Sequence, residues 1–256
     1  MIAKKNLLTI AMWGGVILLS GCSKEAAEAD GSGYAAFACM PDIVVEEQTR
    51  ATVQLPIAIP AAADFRLEVT NADGSYKEVY DEFRKYDQPS MKSGEYTATF
   101  SLGDPEAESS TAYRFEGSTL FKVTANRTTQ VTVRPKLVNS AIRLSTTEWF
   151  DNYYSSARFT VTTEAGNSFA FTPTSGQTIF VKAGAALKLK GSAVKAQNGA
   201  EVTFPEHTIG TTKTSSLHTL TIDAAQAGGG ALRITLGSTD EMTEVAPVEI
   251  ELNPEA

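Results

Sequence analysis

Histidine, cysteine and tryptophan each occur only twice in these 256 residues, and that scarcity removes several classes of chemistry. The two histidines, His207 and His218, stand in β-like surroundings without H-E-x-x-H or a comparable ligand spacing, so imidazole-based metal chemistry has no frame. No G-x-S-x-G elbow, phosphate-binding loop or dinucleotide fingerprint occurs. Gly228-Gly229-Gly230 precedes a strand-like run and lacks the phosphate-loop lysine, which makes it a turn. Bases are outnumbered, with 22 Lys and Arg against 30 Asp and Glu, a net charge of −8. Such a chain repels phosphate backbones and has no Lys/Arg cluster to offset this, so nucleic acid is excluded as a partner. The acidic loop Asp104-Pro105-Glu106-Ala107-Glu108 lacks the alternate ligands and closing bidentate acid of a calcium loop. A pair of acids for glycoside hydrolysis leaves no signature in a single sequence. Trp149, the one tryptophan beyond residue 21, is little material for the deep aromatic cleft of a catalytic sandwich. The expectation is a non-catalytic protein with no cofactor and no metal.

Long apolar runs are also scarce. The one present, Leu7 to Leu19, follows the charged head Lys4-Lys5. It is shorter than the ~20 residues a membrane-spanning helix needs. It ends in Leu19-Ser20-Gly21-Cys22, a small-residue cleavage site in the form of a secretory signal. L-S-G-C matches the bacterial lipoprotein box, and that likeness implies that Cys22 is acylated and becomes the first mature residue. Residues 1–21 are then the signal. Their removal takes away two lysines and no acid, moving the net charge from −8 to −10. Cys39 is left as the only thiol, so no internal disulfide forms and stability rests on packing; a small buried core residue is its expected role.

Residues 22–33, C-S-K-E-A-A-E-A-D-G-S-G, offer almost nothing to bury and read as a flexible tether. Fully extended, it reaches roughly 35–40 Å from the lipid surface. Lys24-Glu25 resembles the signal that sends lipoproteins of the Bacteroidetes to the outer face of the outer membrane. The match is partial, because Ala26 stands where a second acid belongs. The expected location is the outer membrane, lipid-anchored and exposed at the cell surface.

Beyond the tether, period two replaces helical periodicity. Phe65-Arg-Leu67-Glu-Val69, Tyr96-Thr-Ala98-Thr-Phe100, Phe159-Thr-Val161, Leu187-Lys-Leu189 and Val248-Glu-Ile250-Glu-Leu252 alternate cleanly. Turn residues separate the runs at Ala72-Asp73-Gly74, Ser93-Gly94, Ala165-Gly166-Asn167 and Asn198-Gly199. One buried and one wet face per strand predicts an all-β chain of antiparallel sheets packed as sandwiches. The pattern also echoes itself. Asp64–Gly74 lines up with Arg158–Gly166, and Phe121–Val133 with Leu220–Ile234, both at an offset close to one sandwich domain. Two tandem β-sandwich domains are therefore expected, residues 34–136 and 137–256, with the seam at Arg134-Pro135-Lys136-Leu137, where the proline interrupts a ladder.

Two segments break the alternation. Tyr76–Tyr86 places aromatics at 76, 80, 83 and 86, on one face if helical, although Tyr76 to Tyr80 fits a strand end equally well. Trp149-Phe150-Asp151-Asn152-Tyr153-Tyr154 reads as a short helix or tight loop between sheets. In each, the rings form either a platform for sugars, with Tyr76, Tyr80, Trp149 and Tyr153 as its residues, or a lid packed on the core.

Five motifs in order carry a family likeness: Thr49-Arg50-Ala51, the D-F-x-L-E-V-T-N-A-D-G run from Asp64, S-G-E-Y-T-A-T-F-S from Ser93, F-E-G-S-T-L-F-K-V-T-A-N-R-T-T-Q-V-T-V from Phe115, and K-L-V-N-S-A-I-R-L-S from Lys136. Together, over roughly residues 34–190, they resemble a family of Bacteroidetes surface lipoproteins of undefined biochemical activity, related in style to fimbrillin-type adhesins and their anchor subunits. The resemblance implies stacked sandwiches, delivery as a lipoprotein, and assembly by strand donation between subunits. It also implies a processing role for Arg50, since in the fimbrial relatives a trypsin-like protease cuts after such an arginine. Tyr34–Met40 would then be the displaced strand and Val248–Leu252 a donor; the other reading makes Arg50 an ordinary solvated loop residue. The function expected is that of a non-catalytic outer-membrane surface lipoprotein, structural or adhesive, with a glycan-binding surface lipoprotein as the alternative. Its partners are the membrane through the lipid, and other surface or fimbrial proteins or glycans.

Overall fold

The computed structural model describes residues 31–47, 52–224 and 232–236. The signal, the box Leu19-Ser20-Gly21-Cys22, Arg50 and the run Val248–Leu252 all lie outside them. The strands in chain order are β1 (Ser32–Cys39), β2 (Val44–Glu47), β3 (Thr52–Gln54), β4 (Arg66–Asn71), β5 (Lys77–Tyr80), β6 (Met91–Lys92), β7 (Gly94–Leu102), β8 (Phe115–Val123) and β9 (Thr128–Val133). They continue as β10 (Lys136–Leu137), β11 (Ser140–Thr146), β12 (Tyr154–Thr163), β13 (Ser168–Phe171), β14 (Thr178–Val181), β15 (Ala186–Lys195), β16 (Glu201–Thr211), β17 (Ser216–Ala224) and β18 (Leu232–Leu236). One α-helix, α1 (Glu148–Tyr153), separates β11 from β12.

The fold is all-β, and its connectivity repeats. One sheet of the first sandwich runs β5-β4-β7-β8 with β10 outside β8, and it faces β6-β1-β9. The second sandwich has β13-β12-β15-β16 facing β14-β11-β17. The strands β1, β4, β5, β6, β7, β8 and β9 thus correspond in turn to β11 through β17. Directions agree as well: β1–β9 and β11–β17 pair in parallel, while β1–β6 and β11–β14 are antiparallel. The echo of Asp64–Gly74 in Arg158–Gly166 matches corresponding strands, β4 and β12. The echo of Phe121–Val133 in Leu220–Ile234 is one strand out of step, because β8–β9 answers to β16–β17 rather than to β17–β18. Period-two alternation marks a strand without saying which strand it is.

Most ladders are antiparallel, as alternation predicts. The third parallel pairing is between β2 and β17, at Ser216 and Leu217. It carries the chain after β1 across into a sheet of the second sandwich, where β2 pairs antiparallel with β3. Arg143 on β11 fastens this crossing, its Nη2 lying 2.6 Å from Glu47 Oε1 while its Nε donates to Thr219 Oγ1 at 2.8 Å. The expected seam residue Leu137 sits in β10, beside Phe115 of β8.

Each sandwich has its own core. Phe65, Leu67, Val69, Ala98, Phe100, Phe115 and Val131 fill the first; Ile142, Phe150, Phe159, Val161, Phe171, Ile179, Leu189 and Leu220 fill the second. Ala141, Phe180 and Leu217, from strands of the second sandwich, pack into the first core, so the two bodies share apolar contact.

The aromatics at 76, 80, 83 and 86 do not form a helix. Lys77–Tyr80 pairs with Leu67–Thr70 of β4, and only Phe83–Lys85 makes a single 3₁₀ turn. Turn chemistry decides the outcome. Asp73 Oδ1 accepts from Ser75 N at 2.8 Å, Asn71 Oδ1 accepts from Tyr76 N at 2.9 Å, and Gly74 takes φ of +73°. These bonds close a β4–β5 hairpin before a helix can nucleate.

Candidate functional site

Tyr76 and Tyr80 are half-buried over the first core. Tyr76 meets Tyr96 edge-on at 5.3 Å, and Tyr80 meets Tyr86 at 5.1 Å. Tyr86 in turn packs on Phe37 and donates its hydroxyl to the Ala35 carbonyl at 2.8 Å. Burial pushes the Tyr76 phenol up to about 12. These rings close the sandwich beside β1, the arrangement expected of a lid.

Trp149 is placed differently. Thr147 caps α1 by accepting from Phe150 N at 3.2 Å, and it donates to Asp223 Oδ1. Phe150 is buried against Tyr154 and Phe159 with ring centroids 4.8 and 5.8 Å apart. The helix is so anchored by one face, which leaves Trp149 66% exposed; Tyr153 is half-buried beside Tyr154.

Next to this helix the sheet is incomplete. β15 follows β12 from Tyr154 to Thr163, whereas β13 pairs with it only over Phe159–Thr162. The opposite edge of Tyr154–Arg158 therefore has no ladder partner among the described residues. The register also slips by one residue at Ser155, a bulge of the kind that collects beside functional sites. The gap is a cleft of about 460 Å³ lined by Phe150, Asp151, Ser155, Arg158, Thr172 and Thr174 among others. Arg158 also borders a second cleft of about 330 Å³, with Lys190, Ser192, Thr203, Phe204 and Pro205. Arg158 and Lys190 are both exposed, and among the described residues neither joins an ion pair. The neighbouring acids are already engaged: Glu206 pairs with Lys188 at 3.2 Å, and Asp151 Oδ1 accepts from Thr146 Oγ1 at 2.7 Å.

Three residues of catalytic type are committed to the fold. Cys39 is buried in the first core, and burial pushes its thiol up to about 12. His218 is fully buried; its Nε2 accepts from Lys213 N at 2.9 Å, and burial lowers its pKa to about 4. Glu108 joins the two sandwiches: its carboxylate accepts from Thr163 Oγ1 at 2.6 Å, Asn167 Nδ2 at 2.8 Å and Lys182 N at 3.0 Å. Glu106 of the same acidic loop pairs with Lys182 Nζ. Among the described residues no three His, Cys, Asp or Glu side chains gather as a metal site, and no helix is long and apolar enough to cross a membrane.

Sequence reasoning passed over Arg158 and the open edge of β12. Arg158 occupies the polar phase of an ordinary strand, and the missing counter-charge becomes visible only when Ser192 is found opposite it.

No curated protein matches this sequence. Among solved structures, a candidate polysaccharide-binding protein from Bacteroides thetaiotaomicron aligns at 7% identity and a TM-score of 0.39, over 80% of this chain and 96% of that one. A candidate cell adhesion protein from Bacteroides fragilis aligns at 9% and 0.41, over 81% and 98%. Another from Bacteroides eggerthii aligns at 12% and 0.40, over 86% and 93%. Likenesses at this level carry no argument about activity. The family model described as a domain of unknown function, DUF4493, matches residues 32–254, which takes in both sandwiches, and this chain belongs to that family.

Proposed function

We propose that this chain is a non-catalytic lipoprotein of the outer-membrane surface, tethered through Cys22, whose tandem sandwich serves an adhesive or structural role. The observation that carries the reading is the commitment of Cys39, His218 and Glu108 to the fold: a buried thiol, a buried imidazole accepting a backbone N–H, and a carboxylate holding two sandwiches together. These three groups, of the kinds from which a nucleophile, base or acid is built, thus already have structural work. The Leu19-Ser20-Gly21-Cys22 box and the polar tether supply the means of display.

The test is attachment of whole cells to host matrix and to one another, with the gene deleted, restored, or restored as Cys22→Ser. Deletion and Cys22→Ser should both lower attachment, and the restored wild type should recover it. Unchanged attachment in all three strains, together with turnover of a glycan by the purified protein, would replace this reading with an enzymatic one.

One observation favours a second reading, glycan binding. The exposed Trp149 is followed in α1 by Phe150 and Asp151, which line a hydroxyl-bearing cleft at a strand edge without a ladder partner among the described residues, and an exposed flat ring near hydroxyl and backbone donors suits sugars. Binding on a glycan array that is lost in Trp149→Ala supports this reading; an array without binding removes it.

A further inference from the structure

We propose that the two clefts meeting at Arg158 form one groove for an acidic glycan, with Arg158 as the residue that takes a uronate carboxylate. The proposal rests on the glycan-binding reading and names the class of sugar.

Charge is the first support. The chain carries a net −8, yet Arg158 and Lys190 lie close together on the adjacent strands β12 and β15, where Arg158 faces Ser192 and Lys190 faces Thr160. Lys188 and Lys182 of this sandwich have acids, Glu206 and Glu106 respectively. An unpaired, exposed guanidinium presents its planar fork to an external carboxylate, which it binds through two parallel hydrogen bonds.

Continuity is the second. Arg158 belongs to both clefts, so a chain lying across it has space on either side, about 460 Å³ towards α1 and about 330 Å³ towards β16. The α1 side supplies hydroxyls from Ser155, Ser156, Thr172 and Thr174. It also supplies the backbone groups of Tyr154–Arg158, which no strand among the described residues pairs on that edge. The β16 side supplies Lys190, Ser192 and Thr203, with the exposed apolar Pro205 beside them. Two exposed acids border the groove: Asp151 on the α1 side, which repels an anionic ligand, and Glu206 on the β16 side, whose charge is offset by Lys188 at 3.2 Å.

The experiment is calorimetric titration of the mature chain, as soluble Cys22→Ser, with oligogalacturonate, with a neutral malto-oligosaccharide of equal length, and with dextran sulfate, a polyanion without carboxylates. Oligogalacturonate should bind, at least tenfold more weakly to Arg158→Gln and severalfold more weakly to Lys190→Gln. Asp151→Asn should bind it severalfold more tightly, a gain that a misfolded variant does not give. Circular dichroism should leave all three variants unchanged, since each side chain is exposed. Equal affinity of wild type and Arg158→Gln overturns the assignment, as does binding of dextran sulfate with the same Arg158 dependence, which would reduce the site to non-selective anion capture. Binding of the neutral sugar alone overturns the acidic class while leaving the glycan reading in place. No binding here, together with an empty glycan array, removes both.

Discussion

Glu108 and Thr163 meet across the two sandwiches, the carboxylate accepting the threonine hydroxyl at 2.6 Å. Asn167 and the Lys182 backbone complete its shell. The β7–β8 loop is thereby fixed to the turn after β12 and to the end of β14, a contact reinforced by the mutual backbone bonds of Ser109 and Phe180. Glu108→Ala removes three charge-assisted bonds and leaves the Lys182 amide without its acceptor. It should destabilise the protein by about 2–4 kcal/mol in urea unfolding, given roughly 1.5–3 kcal/mol per charged bond and incomplete additivity. Glu106→Ala, which loses only a surface pair with Lys182, should change stability little. Equal effects of the two would deny Glu108 its role.

His218 sets a pH dependence. Its pKa falls from 6.5 unfolded to about 4 folded, chiefly through burial. Between those values the unfolded chain binds a proton that the folded chain does not, so stability is fully present above pH 6.5 and declines as pH falls towards 4. The full difference is roughly 3 kcal/mol. His218→Gln, whose amide oxygen can still accept from Lys213 N–H, should flatten this part of the stability–pH curve. An unchanged slope would place the titration elsewhere.

Gly191 lies beneath the Phe159 ring. A Cβ at Gly191 would stand 2.5 Å from Phe159 Cδ1 and 2.7 Å from the Arg158 carbonyl oxygen. Gly191→Ala should cost about 1–3 kcal/mol through overpacking and disturb the stacking of Phe159 on Phe204, 6.2 Å away. Circular dichroism of the aromatic region together with urea unfolding checks this; a neutral substitution would mean that Phe159 has room to move.

The strands, the turns and the doubling of the fold were legible because each leaves a local mark. Phe65-Arg-Leu67 alternates, Ala72-Asp73-Gly74 turns, and the β4 pattern returns in β12. What was illegible depends on partners distant in sequence. Nothing around Val44 says that it enters a strand beside Leu217's rather than the sheet of its own sandwich. Nothing around Glu108 separates a solvated acid from one that bonds Thr163. The spacing of Tyr76, Tyr80, Phe83 and Tyr86 pointed to a helical face as readily as to a hairpin, and the side-chain bonds of Asn71 and Asp73 decided it. For the site, Trp149 stands out in the sequence because it opens an aromatic cluster that breaks the alternation. Arg158 and the half-covered edge of β12 needed the register.

The segment ahead of Arg50 carries the next expectation. It contributes β1 to the first sandwich and β2 to the second, with Ala35, Cys39, Ile43 and Val45 buried, so its removal would open a groove along both. If Arg50 is a processing site, limited trypsin treatment of the folded chain should cut there before most other basic residues. The released segment should stay bound until it is displaced by a peptide spanning Val245 to Pro254, whose Val248, Ile250 and Leu252 alternate as a strand does. Resistance of Arg50, or a cut chain that ignores the peptide, would make Arg50 an ordinary loop residue.

Anchoring through Cys22 decides whether this sandwich pair is displayed as proposed. Cells expressing the wild type or Cys22→Ser can be fed an alkyne-tagged fatty acid, fractionated, and treated intact with a protease that does not enter the periplasm. The wild type should carry the label, sediment with the outer membrane and be shaved from intact cells, whereas Cys22→Ser should be unlabelled and free of the membrane. Label and membrane association persisting in Cys22→Ser would contradict the lipid anchor, and a labelled wild type that the protease never reaches would contradict a role at the cell surface.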